Sequence, residues 1–228
     1  MLHLLLNMKL VIPSKKNLLP LHFEYIDRTI DQYYRPLQGY FMRKRLSLAL
    51  DMLTARPYRK AERILDVGYG GGTFIPSLAK IAEHVYGIDL HPKMAIVKAI
   101  LAKERIQTFL TKDSIFKTKF KSAFFDKIIC LSVMEHFRDK ELDKACKECK
   151  RLLTEDGYVV IGFPTKNIIS NFIITHVLKF VPDDIHPSGH DDILRAIGRN
   201  FSRYEIVSYP RQVPLNLALY VLVKAYKV

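Results

Sequence analysis

The chain has 228 residues, 49% hydrophobic and 26% charged, which excludes a disordered or fibrous polypeptide and allows one large domain with a full core. Lysine and arginine number 36 against 23 acids, a formal charge of +13; this suits an anionic partner (nucleic acid, an acidic membrane surface or an acidic metabolite) or, because the charges are spread along the chain, simply a solvated basic surface. Three cysteines, Cys130, Cys146 and Cys149, are too few for a disulfide framework and fit a reducing, cytoplasmic compartment.

Residues 1–60 read as a leader. Met1–Leu6 is apolar but Asn7 and Lys9 interrupt it, and no small-residue cleavage site follows. No stretch reaches the roughly 18 to 20 apolar residues that span a bilayer, so a soluble chain is expected, with peripheral membrane contact left open. Phe23–Leu53 carries Ile26, Ile30, Tyr33, Tyr34, Leu37, Phe41, Leu46 and Leu50 at helical spacing. Pro36 and Gly39 are expected to break it into at least two helices, and Pro57 to end the leader.

From Ile64 the pattern alternates. Strands are predicted at Ile64–Val67, Val85–Leu90, Gln107–Thr111, Lys127–Leu131, Tyr158–Phe163, Tyr204–Tyr209 and Leu217–Tyr226. Helices are predicted at Thr73–Glu83, Pro92–Glu104, Lys140–Leu153 and Asp191–Asn200, with Pro92 in a first turn and Asp156-Gly157 as the turn that closes the third of them and opens a strand. Cys146-x-x-Cys149 falls inside a helix with no second ligand pair, so no metal site is expected. Pro210–Pro214 is too short for a crossover, so the last two strands should pair antiparallel. The fold class expected is α/β: a Rossmann-like three-layer sandwich with a seven-stranded, mostly parallel sheet ending in an antiparallel hairpin.

The densest chemistry lies at Ile64–Phe74, ILDVGYGGGTF, which holds four of the ten glycines. A strand, a glycine turn and a helix N-terminus form a cradle for a nucleotide-like ligand, because backbone N–H groups can approach it closely. The dinucleotide fingerprint needs a third small residue where Thr73 stands, so a pyrophosphate-binding turn is not indicated. Asp66, Asp89 and Asp113 each fall at or just past the end of one of three consecutive strands, the edge where such folds bind ligands. Asp89 lies about 20 residues beyond the glycines, where a carboxylate can accept two ribose hydroxyls. Any one of these acids alone could be a helix cap or a surface charge.

Taken in order, these segments resemble the class I S-adenosylmethionine-dependent methyltransferases, of the small-molecule, methyltransferase-11-like type. Ile64–Thr73 is similar to the first motif, Val85–Leu90 to the second, Asp113-Ser114 to the adenine position, Phe125–His136 to the fourth-strand motif and Leu152–Ile161 to the entry of the fifth strand. The resemblance covers about residues 60–228. It implies a leader or cap over 1–60 and a methyltransferase domain over 61–228 with an apolar insertion at 165–189. It further implies that S-adenosylmethionine is the cofactor and S-adenosylhomocysteine its product. Gly68, Gly70 and Gly72 would pass beside the methionine part, Asp66 would orient its amino group and Asp89 would hold the ribose. Leu90 would pack on the adenine, Asp113 would receive the adenine amino group with Ser114 beside it, and Ser132 would face the methionine amino group. Tyr69 has no assigned role.

A methyl group on a sulfonium is already activated, so the protein mainly aligns the acceptor; a base is needed for a hydroxyl or a protonated amine. His136 is the candidate base, or a packing residue, with Glu135 a weaker candidate. His186 and His190 flank Pro187-Ser188-Gly189, which reads as a second polar group over the pocket or as a turn with an N-cap at Ser188 or Asp191. For the acceptor, the leader offers Tyr25, Tyr33, Tyr34, Tyr40 and Phe41 with Arg35, Arg43 and Arg45, as a cap or as an amphipathic helix packed on the sheet. The insertion offers Ile168, Ile169, Phe172, Ile173, Val177, Phe180 and Val181 as an apolar lid or as extra core. A lid of that kind suits a small-molecule acceptor with an apolar portion, or a membrane surface. The alternatives are an RNA or protein methyltransferase, a non-catalytic cofactor-binding subunit and a nicotinamide dehydrogenase. Base-methylating motifs are absent after the fourth strand, where Leu131-Ser132-Val133-Met134 stands.

Overall fold

A computed structural model describes residues 8–18, 30–55, 57–172, 186–211 and 213–228. Its seven strands form a sheet in the order β3-β2-β1-β4-β5-β7-β6. They are β1 (Ala61–Val67), β2 (Ala82–Asp89), β3 (Phe109–Lys112), β4 (Phe125–Leu131), β5 (Leu153–Pro164), β6 (Arg203–Tyr209) and β7 (Tyr220–Tyr226). β1, β2 and β3 pair parallel, as do β4 and β5, while β7 runs antiparallel to both β5 and β6. The expected mixed sheet with its closing hairpin is therefore present. By contacts the chain divides into two compact units, 1–114 and 115–228.

In the first unit the described helices are α1 (Lys15–Leu18), α2 (Pro36–Leu53), α3 (Ile75–Ile81) and α4 (Met94–Lys103). Ile64, Leu65, Val85 and Ile88 are buried in the strands, and Ile75, Leu78, Ile81, Val97, Ile100 and Leu101 in the helices. Buried parallel strands read as continuous apolar runs, which is why β1 and β2 were legible. Of the two breaks expected in the leader, the one at Pro36 is present, between the 3-10 turn Ile30–Tyr34 and α2, and the one at Gly39 is corrected. Pro36 opens α2 at its first turn, where its missing N–H costs nothing. Gly39 lies inside that helix; a Cβ there would stand 2.5 Å from the Tyr33 carbonyl oxygen, so the glycine serves a close approach of the preceding 3-10 turn (Ile30–Tyr34) instead of a break. Phe23–Thr29 lies outside the described residues. The segment before it is clipped to the unit: Ser77 exchanges hydrogen bonds with the Val11 backbone at 2.7 and 2.8 Å, and Glu104 accepts from Ser14 N–H at 2.7 Å.

In the second unit α5 (Asp139–Leu152), α6 (Ile168–Phe172) and α7 (His190–Asn200) accompany β4–β7. Leu142, Ala145, Cys146, Cys149 and Leu152 form the buried stripe of α5, and Ile193, Ala196 and Ile197 that of α7. The three cysteines are buried and not disulfide-bonded, and burial pushes the Cys146 thiol up to about 12. Asp156-Gly157 is not the turn expected: β5 runs through it, and the pairing with β4 slips from Phe125↔Leu153 to Lys127↔Tyr158. The extra residues bulge, and a Cβ on Gly157 would sit 2.9 Å from the Thr154 oxygen and 3.0 Å from that of Asp126. β7 starts at Tyr220, three residues late, because Leu215–Leu217 forms a 3-10 turn. Residues 173–185, most of the expected apolar insertion, lie outside the described residues. At its start Ile168 is 89% and Phe172 60% exposed. Among the described residues no helix is long and apolar enough to cross a membrane.

Candidate functional site

In the first unit the candidate residues stand at the ends of β1, β2 and β3. Asp66 pairs with Gly87 and Asp89 with Lys112 in the parallel registers. Gly68 N–H extends the β1–β2 ladder by donating to the Ile88 carbonyl at 2.8 Å, and Asp113 N–H extends β3 by donating to that of Asp89 at 3.1 Å. The chain then turns through Gly68, Gly70 and Gly72 at φ +75°, +49° and +71°. Side-chain-bearing residues pay for this left-handed conformation. At Gly72 space is also short: a Cβ would lie 2.8 Å from Val97 Cγ1. The turn takes up Thr73 and Phe74, so α3 begins at Ile75, later than expected, with Pro76 in its first turn.

The Asp89 carboxylate braces this loop. Its Oδ2 accepts from Gly70 N–H at 2.8 Å and its Oδ1 from His91 N–H at 3.1 Å. Each oxygen keeps a further lone-pair direction. His91, which the sequence reading passed over, adds a second brace. Its Nδ1 faces the Lys93 N–H at 3.1 Å and must accept; its Nε2 therefore carries the proton and donates to the Gly70 carbonyl at 2.9 Å. Because His91 engages Lys93, α4 starts at Met94 with Pro92 ahead of it, not inside its first turn as expected.

Tyr69 lies under the same loop, 4% exposed, with its ring edge-on to His91 at 5.1 Å. Gly87 makes room for it, since a Cβ there would be 2.8 Å from Tyr69 Cδ1. Burial, with the Asp89 and Asp66 charges, pushes the phenol up to about 12, so it stays protonated. Asp66 is buried. Burial first and the Asp89 charge second raise its carboxyl from 3.8 to about 7. Asp113 Oδ1 accepts from Ser114 N–H at 2.8 Å. Leu90 is an apolar side chain left 66% exposed beside these acids. Thus Asp66, Gly68, Gly70, Gly72, Asp89, Leu90, Asp113 and Ser114 stand on neighbouring strand ends of one unit.

In the second unit the candidate residues stand where β4 ends. Ser132 adopts φ +55°, a strained value for a residue with a side chain. Its N–H donates to the Gly162 carbonyl at 2.7 Å and its Oγ lies 3.1 Å from the Tyr220 hydroxyl. Gly162 is needed there, because a Cβ would stand 2.9 Å from that hydroxyl. A 3-10 turn, Met134–His136, follows with Glu135 buried and His136 exposed. The His136 ring lies 4.8 Å from that of His186. His190 is elsewhere: its Nδ1 accepts from Lys166 N–H at 3.3 Å at the start of α7. The helix cap is neither Ser188 nor Asp191. Gly189 holds the N-cap position and donates its N–H to Asp192 Oδ2 at 2.9 Å, while Ser188 Oγ donates to the Phe137 carbonyl at 2.5 Å.

Residues 65–161, the span from β1 through most of β5, match a family model described as a methyltransferase domain. The match takes in less than half of the chain and stops short of β7 and β6. This span supports reading the chain as a class I S-adenosylmethionine-dependent methyltransferase. Among curated relatives, a ubiquinone biosynthesis O-methyltransferase of Colwellia psychrerythraea is 26% identical over 169 residues, covering 70% of this chain and 66% of the relative. One of Xanthomonas oryzae is 31% identical over 115 residues, covering 50% of this chain and 47% of the relative. The chain spans less than two thirds of the length of the relative from Colwellia and 56% of one from Glaesserella parasuis. Among solved structures, the N-methyltransferase NodS of Bradyrhizobium japonicum in complex with S-adenosylhomocysteine superposes with a TM-score of 0.63 at 16% identity, covering 92% of this chain and 98% of NodS. A geranyl diphosphate methyltransferase superposes at 0.64 with 17% identity, covering 82% and 78%. At such identities these two structures speak for the methyltransferase fold alone.

Proposed function

We propose that the chain transfers a methyl group from S-adenosylmethionine to a hydroxyl oxygen of a small acceptor that has an apolar portion. The observation that carries this reading is Asp66, a buried carboxylate raised to about 7 beside the glycine turn and Asp89. A carboxylate in that setting suits a cationic ligand, whose charge offsets both the burial and the neighbouring acid. Asp66, Asp89 and the exposed Leu90 fit the cofactor's ammonium, ribose and adenine in that order, with the glycine turn beside the methionine part.

The cofactor supplies an electrophilic methyl group on a sulfonium. The chain's own residues do the rest. Asp66 takes the amino group, Gly68, Gly70 and Gly72 leave the backbone open beside the methionine part, and Asp89 accepts the ribose hydroxyls on its remaining lone pairs. Leu90 covers one face of the adenine, Asp113 and Ser114 address its edge, and Ser132 offers an oxygen to the amino group. His136, exposed beyond Ser132, serves the acceptor side as a base for the hydroxyl proton. Oxygen is chosen because the curated relatives are named O-methyltransferases. The apolar portion rests on the exposed Ile168 and Phe172, and a cytoplasmic location on the small number of cysteines, all three buried. Calorimetry with S-adenosylmethionine tests the cofactor half. Asp89→Ala should bind at least tenfold more weakly than the parent, and equal affinity would remove Asp89 from the site.

A further inference from the structure

Two histidines fifty positions apart and one buried acid meet in the second unit. The ligand atoms of Glu135, His136 and His186 all lie within 4.8 Å of one another. Glu135 and His136 sit on the 3-10 turn after β4, and His186 arrives on the connection that leads into α7. The meeting is built by backbone as well as by side chains. Ser188, two residues past His186, donates its N–H to the Glu135 carbonyl at 3.4 Å and its hydroxyl to that of Phe137 at 2.5 Å. These bonds flank the three side chains and fix the two backbone segments against each other.

We propose that Glu135, His136 and His186 bind a first-row transition dication of the zinc type. Two imidazole nitrogens and one carboxylate oxygen are the donor set of open zinc sites, which keep a coordination position for an oxygen ligand. Magnesium and calcium prefer oxygen donors throughout, so they fit less well. At metal–ligand distances of about 2.0–2.1 Å, tetrahedral ligands stand about 3.3 Å apart. Closing from 4.8 Å or less requires modest side-chain rotation, and exposed His136 and half-buried His186 have room for it. Glu135 is 2% exposed, and a cation offsets the cost of its charge there. Lys166 Nζ donates to the His186 backbone carbonyl at 3.5 Å.

The role of such an ion rests on the reading of a hydroxyl acceptor: the open position would hold the acceptor's oxygen and favour loss of its proton. His136 would then be a ligand and not the base. Metal binding itself does not depend on that reading. The test is titration of the purified full chain with Zn2+ against a chromophoric chelator, repeated with Co2+ to read its visible ligand-field bands. One ion per chain is expected, with Co2+ bands of a low-coordinate nitrogen-oxygen site. His186→Ala and His136→Ala should each weaken Zn2+ binding at least a hundredfold and abolish those bands. S-adenosylmethionine affinity of His186→Ala should stay within twofold of the parent. Far-UV circular dichroism of each variant separates loss of ligand from loss of fold. Absence of a bound ion, or Zn2+ binding undiminished in both folded histidine variants, overturns the proposal. Zn2+ binding that depends on His186 in a chain that takes no S-adenosylmethionine would sustain the site while refuting the methyl-transfer reading.

Discussion

Replacing Asp66 with asparagine should make the cofactor-free protein more stable and the cofactor site worse. The side chains are nearly equal in size, so the change removes chiefly a charge. In the folded chain the Asp66 carboxyl lies near 7 instead of 3.8, through burial and then the Asp89 charge. Three pH units at about 1.4 kcal/mol each set a ceiling of about 4 kcal/mol on what ionising Asp66 costs the fold. Because the folded value is raised, the native state holds more protons than the unfolded chain between pH 3.8 and 7. Stability from this group is full below 3.8 and lost as pH rises through 7. Urea denaturation of parent and Asp66→Asn from pH 4 to 8.5 isolates it, since Asp143 and Glu148, held low by Arg199 and Arg151, contribute equally to both proteins. The variant should be more stable by about 2–4 kcal/mol at pH 8, with the gap closing toward pH 4. At pH 8 it should bind S-adenosylmethionine at least tenfold more weakly. A variant less stable than the parent at pH 8, or a gap that does not move with pH, would refute the assignment of a strained buried acid.

The remaining predictions concern the loop and β4. Gly72→Ala places a Cβ 2.8 Å from Val97 Cγ1 at φ +71°; thermal denaturation should show a loss of about 2–3 kcal/mol, from left-handed strain and overpacking together. His91→Phe keeps a ring against Tyr69 but loses the bonds to Gly70 and Lys93. It should cost about 1–2 kcal/mol and weaken cofactor binding several-fold by calorimetry, and unchanged affinity would make the brace irrelevant to the ligand. Lys127 is lowered to about 8 by burial and then by Lys224. The unfolded chain therefore holds more protons between pH 8 and 10.5, and stability from this group rises with pH across that window. Lys127→Met should be more stable by about 1–2 kcal/mol at pH 7 in urea melts, and the gap should narrow above pH 10.

The buried strands were legible because doubly covered strands such as Ile64–Val67 and Val159–Ile161 carry unbroken apolar runs. The closing hairpin was legible because the stretch between the last two strands is too short for a crossover helix. Local signals failed where a distant neighbour decides the conformation. Gly39 looks like a break until the Tyr33 carbonyl stands beside it, and Asp156-Gly157 looks like a turn until β4 pairs through a bulge. Asp66, Asp89, Asp113 and the turn glycines sit at or just past strand ends, so their placement followed from the strand pattern. His91 had only its place after Asp89-Leu90 to mark it, and its role depends on which nitrogen meets Lys93. Tyr220 and Gly162 support Ser132 from β7 and β5. The meeting of His136 with His186 depends on Ser188 reaching back to Phe137, which no spacing encodes.

The central claim is methyl transfer to a small hydroxylated acceptor. The most direct measurement is incubation of the chain with methyl-labelled S-adenosylmethionine and a panel of alkyl-substituted phenols and catechols, with RNA and protein pools in parallel. Label should appear as an O-methyl ether in the organic extract, with equal S-adenosylhomocysteine formed, and Asp89→Ala should reduce it at least tenfold. Label confined to RNA or protein, or firm cofactor binding without any S-adenosylhomocysteine formed, would contradict the account.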